Sequence, residues 1–283
     1  MAGKLRLGIV AILPSYYQDE IWRRLAASPE LDVVVMYLSD VGIRADFDDK
    51  TLGAKRHWRE RIDLDAYENV FVRNYGSQNL PGPLFRINPG LFTLLQKERF
   101  DAILLPGHST VSTLGVALWC ITTKTPVIYR GEAIPLPESR SLPARLRRAV
   151  DRAILTRFDS VLYSCTRNRA FFESRGVRRE QLGLVPCAVD NDFYREEYAE
   201  WRPRRAEVRA EVGVGTDDVV ATFVGRLLDI KRVHEIPEIA RRLRDAKPKR
   251  AVHFFVIGDG PERQRIEQRI AECDVADCVH MLG

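Results

Sequence analysis

Arg226 and Lys231 stand five residues apart in "ATFVGRLLDIKRVHEI", residues 221–236, just after an apolar run that breaks at Gly225. "ATFVG" has the β-branched and aromatic content of a buried strand, and "VHEIPEIARRLRDA" reads as a helix despite Pro237. Two cations at a strand-to-helix junction suit an anion, because the guanidinium offers a bidentate fork and the ammonium a point charge. Charge-assisted hydrogen bonds of this kind each contribute about 1.5–3 kcal/mol, so two suffice to hold a diphosphate. On this stretch alone, a pair of solvated surface cations accounts for the residues equally well.

A second stretch, "VIGDGPERQRIE", runs a buried strand into Gly258, Asp259, Gly260 and Pro261, with Pro261 suited to the first turn of the next helix. Such a turn brings backbone N–H groups and a helix N-terminus to the C-terminal edge of a sheet, where open α/β folds bind ligands. A plain tight β-to-α turn is the alternative.

The elements that must position these residues alternate along the chain. "LRLGIVAIL", a helix near 18–28 and "LDVVVMYL" come first. A polar region from about Ser39 to Asn88 follows, and its Gly-, Pro- and Asn-rich "RNYGSQNLPGPLFRINPG" reads as a long loop near a working surface. Strands at "FDAILLPG", "TPVIYRG" and "SVLYSC" then alternate with helices, and "LGLVPCAVD" closes the first half. This is the pattern of a parallel sheet with crossover helices, an α/β fold. Residues 196–216 carry charge with little apolar periodicity and read as a junction between a domain at 1–195 and a second αβ series at 217–283. That series holds only three strands, so the second domain reads as incomplete.

Bulk properties narrow the function classes. Hydrophobic residues at 45% and charged residues at 29% describe a soluble globular chain. No apolar segment approaches the roughly 18 residues that span a bilayer, and the N-terminus lacks a cleavage site, so a cytoplasmic location is expected, at most peripheral to a membrane. Cys120, Cys165, Cys187, Cys273 and Cys278 form an odd, scattered set that suits reduced thiols. Cys273, Cys278 and His280 lack the second ligand pair of a zinc site, and no metal is expected. The net charge of +5 favours anionic partners, but no aromatic-plus-basic motif points to nucleic acid.

In this order and spacing, "FVGRLLDIKRVHEIPEIARRLRDAKPKRAVHFFVIGDGPERQRIE" resembles the opening of the C-terminal domain in family 4 of the retaining glycosyltransferases. The resemblance extends through "VLYSCTRNRAFFESRGVRREQLGLVPCAVDNDFY", which looks like the family segment leading to a Val-Pro-x-x-Val-Asp turn, and weakens before Arg99. It implies a GT-B fold, two Rossmann-like domains with parallel sheets, in which the C-terminal domain holds a nucleoside diphosphate sugar and the N-terminal domain most of the acceptor site. Arg226 and Lys231 would neutralise the donor diphosphate and stabilise it as it leaves, without a metal or other cofactor. Gly225 would let the donor approach, and Gly258, Asp259, Gly260 and Pro261 would lie near the base or ribose. In the first half, His108 of "LLPGHST" could orient a hydroxyl or merely hold its turn. Arg130 and Glu132 of "PVIYRGEA" occupy a place where many members carry a histidine. Glu132 could act as a base toward the acceptor, or pair with Arg130 to hold the loop.

This chain departs from the family in two places. "ILPSYYQDE" replaces a glycine-rich loop, so Ser15 or Tyr16 would supply a side-chain contact instead. The family's pair of donor-binding glutamates would fall beyond Gly283, and the chain by itself is not expected to transfer sugar. Arg145, Arg148 and Arg152 of "LPARLRRAVDRAILTRF" fall at helical spacing and could rest on anionic lipid, or form a solvated face. The leading expectation is therefore a retaining transferase acting on a glycan, a lipid-linked sugar or a small molecule. The alternatives are a nucleotide-sugar epimerase of the same fold and a non-catalytic partner or scaffold protein.

Overall fold

A computed structural model describes residues 3–41, 43, 48–49, 54–55, 62–76, 86–135 and 141–283. In its first part, β1 (Leu5–Ala11), α1 (Tyr16–Ala26) and β2 (Leu31–Tyr37) are followed by the short strands β3 (Asp48–Asp49) and β4 (Ala54–Lys55). Then come β5 (Glu68–Phe71), α2 (Gly90–Glu98), β6 (Ala102–Pro106), α3 (Val111–Thr123), β7 (Val127–Arg130), α4 (Leu142–Leu155), β8 (Ser160–Tyr163), α5 (Thr166–Ser174) and β9 (Leu182–Leu184). The seven longer strands form one sheet in the order β5-β2-β1-β6-β7-β8-β9, with every pairing parallel.

Both faces of this sheet are apolar because both are covered, as parallel sheets require. On one face Ile9, Val33, Val35 and Tyr37 pack with Trp22 of α1. On the other, Val10, Val34, Met36 and Ile103 pack with Leu91 and Leu95 of α2 and Val116 of α3, and the same core continues to Leu155 and Phe172.

In the region from Ser39 to Asn88 the described residues hold more regular structure than a loop reading gives. β5 extends the sheet there, pairing Val34–Tyr37 with Glu68–Phe71. Asn88 is buried and bridges three elements: its Nδ2 donates to the carbonyls of Leu38 (3.0 Å) and Val72 (2.8 Å), and its backbone N–H donates to the Ser112 hydroxyl (2.7 Å). Arg86 is also fully buried, and that burial pushes its guanidinium down to about 10, opposed by the Asp40 charge. The segment 77–85 of the expected loop lies outside the described residues. Asn88→Ala leaves two buried carbonyls without a donor and is expected to lower the unfolding free energy in urea by about 2–4 kcal/mol. A loss under about 1 kcal/mol would show that water replaces the amide.

The chain divides into two compact units, the second beginning at Asp190 and including β3 and β4. In it, α6 (Asn191–Trp201) and α7 (Arg205–Glu211) occupy most of the stretch read as a junction. Their apolar periodicity is weak because α6 buries none of its side chains. Arg209 is the buried exception, its guanidinium donating to the carbonyls of Gly215 and Asp218 (2.6 Å each) ahead of the next strand. Then β10 (Val219–Val224), α8 (Ile236–Asp245), β11 (Val252–Ile257), α9 (Arg263–Glu272) and β12 (Val279–Met281) build a second parallel sheet, β10-β11-β12. Phe254, Val256 and Val279 meet Ala240 of α8 and Ile266 and Ile270 of α9 on one face. Cys273 and Cys278 lie with that core, whereas His280 stacks on His253, so the three do not converge.

Candidate functional site

In the second unit the two motifs meet through their backbones. Leu227 N–H donates to the Asp259 carbonyl (3.0 Å), and Glu262 N–H donates back to the Leu227 carbonyl (3.1 Å). Gly225 N–H adds a bond to the Ile257 carbonyl (3.0 Å). The approach is so close that a Cβ on Gly258 would lie 2.0 Å from the Gly225 oxygen, and one on Gly260 2.5 Å from the Leu227 oxygen. These glycines thus have a reason that sequence reasoning did not supply: each turn packs against the other. Asp259 Oδ1 accepts from Gly260 N–H (2.8 Å). Pro261 lies in the turn ahead of α9, whose first residue is Arg263, and not in the helix's first turn.

Buried Leu227 pins the loop, and its neighbours project outward. Arg226 and Lys231 are both exposed, with Lys231 closing a single 3-10 turn, Asp229–Lys231. Among the described residues neither has an ion pair, whereas Arg232, Arg241, Arg242, Arg263, Arg265 and Arg269 of the same unit each have one. Nearby, Asp229, His234 and Glu262 draw together, but Arg265 bridges both carboxylates at 3.1 and 2.9 Å and supplies the counter-charge. The two cations of the opening motif thus have no internal counter-charge among the described residues and are open to an external anion.

In the first unit a cleft of about 1080 Å³ opens at the C-terminal ends of β6 and β7, beside Tyr17 and Gln18 of α1. The strand order reverses between β1 and β6, and open α/β sheets bind ligands at that switch point. His108, Arg130 and Glu132 all line it. They reach it because each lies at or just past the end of a strand at the same edge of the sheet: Arg130 closes β7, Glu132 lies two residues beyond it, and His108 lies two beyond Pro106, which closes β6.

The cleft floor is a hydrogen-bonded chain. His108 Nε2 lies 3.1 Å from Asp151 Oδ1 and Nδ1 lies 3.1 Å from the Tyr129 hydroxyl. Burial, with the Asp151 charge, pushes the Tyr129 hydroxyl well above its ordinary value, so it stays protonated. With Asp151 ionised, Nε2 must be the donor, and in the neutral imidazole Nδ1 accepts from Tyr129. Burial raises the Asp151 carboxyl, but the hydrogen bond from His108 and the charges of His108, Arg147 and Arg175 outweigh it and hold the group below 3.8. A depressed carboxyl stabilises the fold above its unfolded value, and that contribution is lost as pH falls through the lowered folded value. Asp151→Asn is therefore expected to flatten the acid limb of a plot of unfolding midpoint against pH below about 4, a region where other carboxylates still titrate. An unchanged limb would remove Asp151 from the network.

Glu132 is exposed at the cleft, and the Cys187 thiol lies 3.7 Å from its Oε1. Among the described residues it makes no ion pair with Arg130, so the two side chains stand apart in the cleft. Ser15 is buried, and its hydroxyl donates to Gln18 Oε1 (2.9 Å) while its carbonyl accepts from the amides of Gln18 and Asp19. Its contact is thus with the start of α1, where Tyr16 and Tyr17 are exposed. Sequence reasoning missed Tyr129 and Asp151. The signal for Asp151 was available, since it is the one acid in the otherwise basic "LPARLRRAVDRAIL".

Residues 204–283 match the family model described as glycosyl transferases group 1. A D-inositol 3-phosphate glycosyltransferase of Nocardia farcinica is 25% identical over 154 residues, which is 54% of this chain and 31% of that protein. Among solved structures, a glycosyltransferase from Rickettsia africae superposes with a TM-score of 0.67 at 11% identity, covering 100% of this chain and 69% of its own. Anabaena Alr3699/HepE, solved in complex with UDP, gives 0.61 at 16% identity, covering 99% and 69%. A UDP-N-acetylglucosamine 2-epimerase shares the fold at 0.53 and 14% identity, covering 99% and 68%. The chain therefore spans about a third of the curated relative and little more than two thirds of these structures. Residues 204–283 are thus similar to the glycosyl transferases group 1 family, and the described chain has the GT-B fold of these structures.

Proposed function

We propose that the protein is a retaining glycosyltransferase that moves a sugar from a nucleoside diphosphate sugar to a hydroxyl acceptor. The observation that carries this reading is the pair of exposed, unpaired cations, Arg226 and Lys231, on a loop locked to the Gly258–Pro261 turn within a family-matched segment. Diphosphate oxygens are the complement of such a pair, and as the glycosidic bond breaks they gain charge that fixed cations stabilise. Arg226 grips through its fork, Lys231 follows the shifting charge on a flexible stem, and no metal is required for this step. Gly225, Gly258, Asp259, Gly260 and Pro261 shape the rim where the nucleoside lies.

The cleft of the first unit takes the acceptor. Arg130 and Glu132 face it, Glu132 as the base that receives the hydroxyl proton. His108, with both ring nitrogens engaged, orients the floor on which the acceptor rests, and Ser15 sets the start of α1 at its edge. The acceptor is a glycan, a lipid-linked sugar or a small molecule, and the arginine-rich helix α4 near Arg145, Arg148 and Arg152 makes peripheral contact with anionic membrane.

Calorimetric titration of the chain with UDP, in the presence of EDTA, tests the donor reading. Binding that persists in EDTA and is lost in Arg226→Ala is expected. Binding that Arg226→Ala leaves intact would move the nucleotide elsewhere. Among the group's possible reactions, free UDP released only when an acceptor is added marks transfer, and release without one marks epimer formation or hydrolysis.

A further inference from the structure

The loop that carries Arg226 and Lys231 ends in a second 3-10 turn, Val233–Glu235, where His234 faces Glu262, just past Pro261. Its Nδ1 is buried and has no hydrogen-bond partner among the described residues. The atoms in front of it are carboxylate oxygens, Glu262 Oε2 at 3.6 Å and Asp229 Oδ1 at 4.0 Å. Neither is a hydrogen bond, but the nearer need shorten by only about 0.7 Å to become a charge-assisted one. In the neutral ring this nitrogen is unsatisfied in either tautomer: a lone pair would point at negative charge, and an N–H would stop short of its acceptor. The surrounding charges do not cancel either. Asp229 and Glu262 share one cation, Arg265, at 3.1 and 2.9 Å. Other charged groups packed here have partners of their own: Glu235 pairs with Arg232, Glu238 with Arg241 and Arg242, Arg263 with Glu267, and Arg269 with Glu272. Lys231, in the same turn as Asp229, makes no ion pair among the described residues. Two carboxylates against one guanidinium leave negative charge for His234 to meet, and imidazole is the side chain that takes up a proton between about pH 5 and 8.

We infer that His234 is a positioning residue for the Arg226–Lys231 loop: when protonated, it hydrogen-bonds Glu262 and draws the loop onto the turn that precedes α9. Glu262 N–H already donates to the Leu227 carbonyl, so a side-chain bond from His234 to the same residue adds a second tie. Leu227 and His234 bracket Lys231 in the chain, and both ends of the segment that carries it are then held by Glu262. The tie forms without a ligand; its consequence for the donor rests on the nucleotide reading of Arg226 and Lys231. A ligand that needs the loop ordered binds better as His234 gains its proton, and by linkage its binding takes up protons.

Titration of the full chain with UDP between about pH 7.5 and about pH 5.5 tests the inference. Relative to His234→Gln, the parent should gain about two- to fivefold in affinity on acidification, the strength of a part-exposed ion pair. The phosphate of UDP titrates in the same range, but that contribution is common to both proteins and cancels in the comparison. Glu262→Gln keeps the backbone N–H that bonds Leu227 and should abolish the acid gain as His234→Gln does. A merely structural His234 would lower affinity equally at every pH, and parallel profiles of parent and His234→Gln overturn the inference. So does an acid gain that Glu262→Gln retains, which would assign the effect to another group. Amide hydrogen exchange without nucleotide gives the independent signal. After correction for intrinsic rates, protection at Leu227 and Glu262 should rise about two- to fivefold on acidification in the parent and in neither variant. Protection that ignores pH in the parent overturns the inference whatever UDP does. Protection that responds as expected in a chain that fails to bind UDP upholds the tie and removes the donor reading alone.

Discussion

Replacing Arg226 and Lys231 together by alanine is expected to weaken UDP binding by about two to four powers of ten. Each lost charge-assisted contact is worth about 1.5–3 kcal/mol, and about 1.4 kcal/mol is tenfold. The single variants should each lose about 10- to 150-fold on the same scale. Because both side chains are exposed and lack ion pairs among the described residues, the double variant should unfold within about 0.5 kcal/mol of the parent. Affinity and stability therefore separate cleanly in this experiment. Arg226→Lys sharpens it: the charge stays but the fork goes, so an intermediate loss indicates bidentate recognition and full retention indicates a point charge. Affinity that survives in the double variant would leave the pair as solvated surface cations.

Gly258→Ala should be the most damaging small substitution in the second unit. The added methyl would sit 2.0 Å from the Gly225 carbonyl oxygen, a backbone atom with no rotamer to move, and the residue holds φ of +139°. Both penalties act together, and a loss of at least about 3 kcal/mol in urea unfolding is expected. Gly213→Ala is the matched comparison. Its φ is +70° but nothing lies within 4 Å of the added methyl, so it should cost only about 1 kcal/mol of backbone strain. If the two variants unfold alike, the turns are not packed as described. At temperatures where Gly258→Ala stays folded it should also bind UDP less well than Gly213→Ala, because moving the Gly225 backbone moves Arg226.

What was legible in the chain follows from how locally each feature is encoded. The alternation of apolar runs and helices reports the two parallel sheets because a strand buried on both faces is apolar throughout, as in "LDVVVMYL", while "HFFVIG" is as apolar although only Phe254 and Val256 of it join the helix-covered core. Arg226, Lys231 and the Gly258–Pro261 turn were legible for the same reason, since each belongs to a short motif at a strand end. The strand Glu68–Phe71 was not, because "ENVF" is short, lies at the sheet edge and has only half-buried Asn69 and Val70 to show. Asn88 shows no signal of its role: its partners Leu38, Val72 and Ser112 become neighbours only when the sheet and α3 assemble. The Tyr129–His108–Asp151 chain is hidden similarly, its members coming from β7, a loop and α4. Sequence could nominate His108, but only the fold shows that both of its nitrogens already have partners.

The reciprocal bonds between Leu227 and the Asp259–Glu262 turn have a thermodynamic consequence. Neither turn can open alone without leaving the other's donor or acceptor unpaired, so they share one local unfolding equilibrium. A ligand that captures Arg226 draws down the open population of both, and the entropy lost in ordering one turn need not be lost again at the other. Groups of one ligand captured by the two motifs, which lie more than thirty residues apart in the chain, would then bind with positive cooperativity.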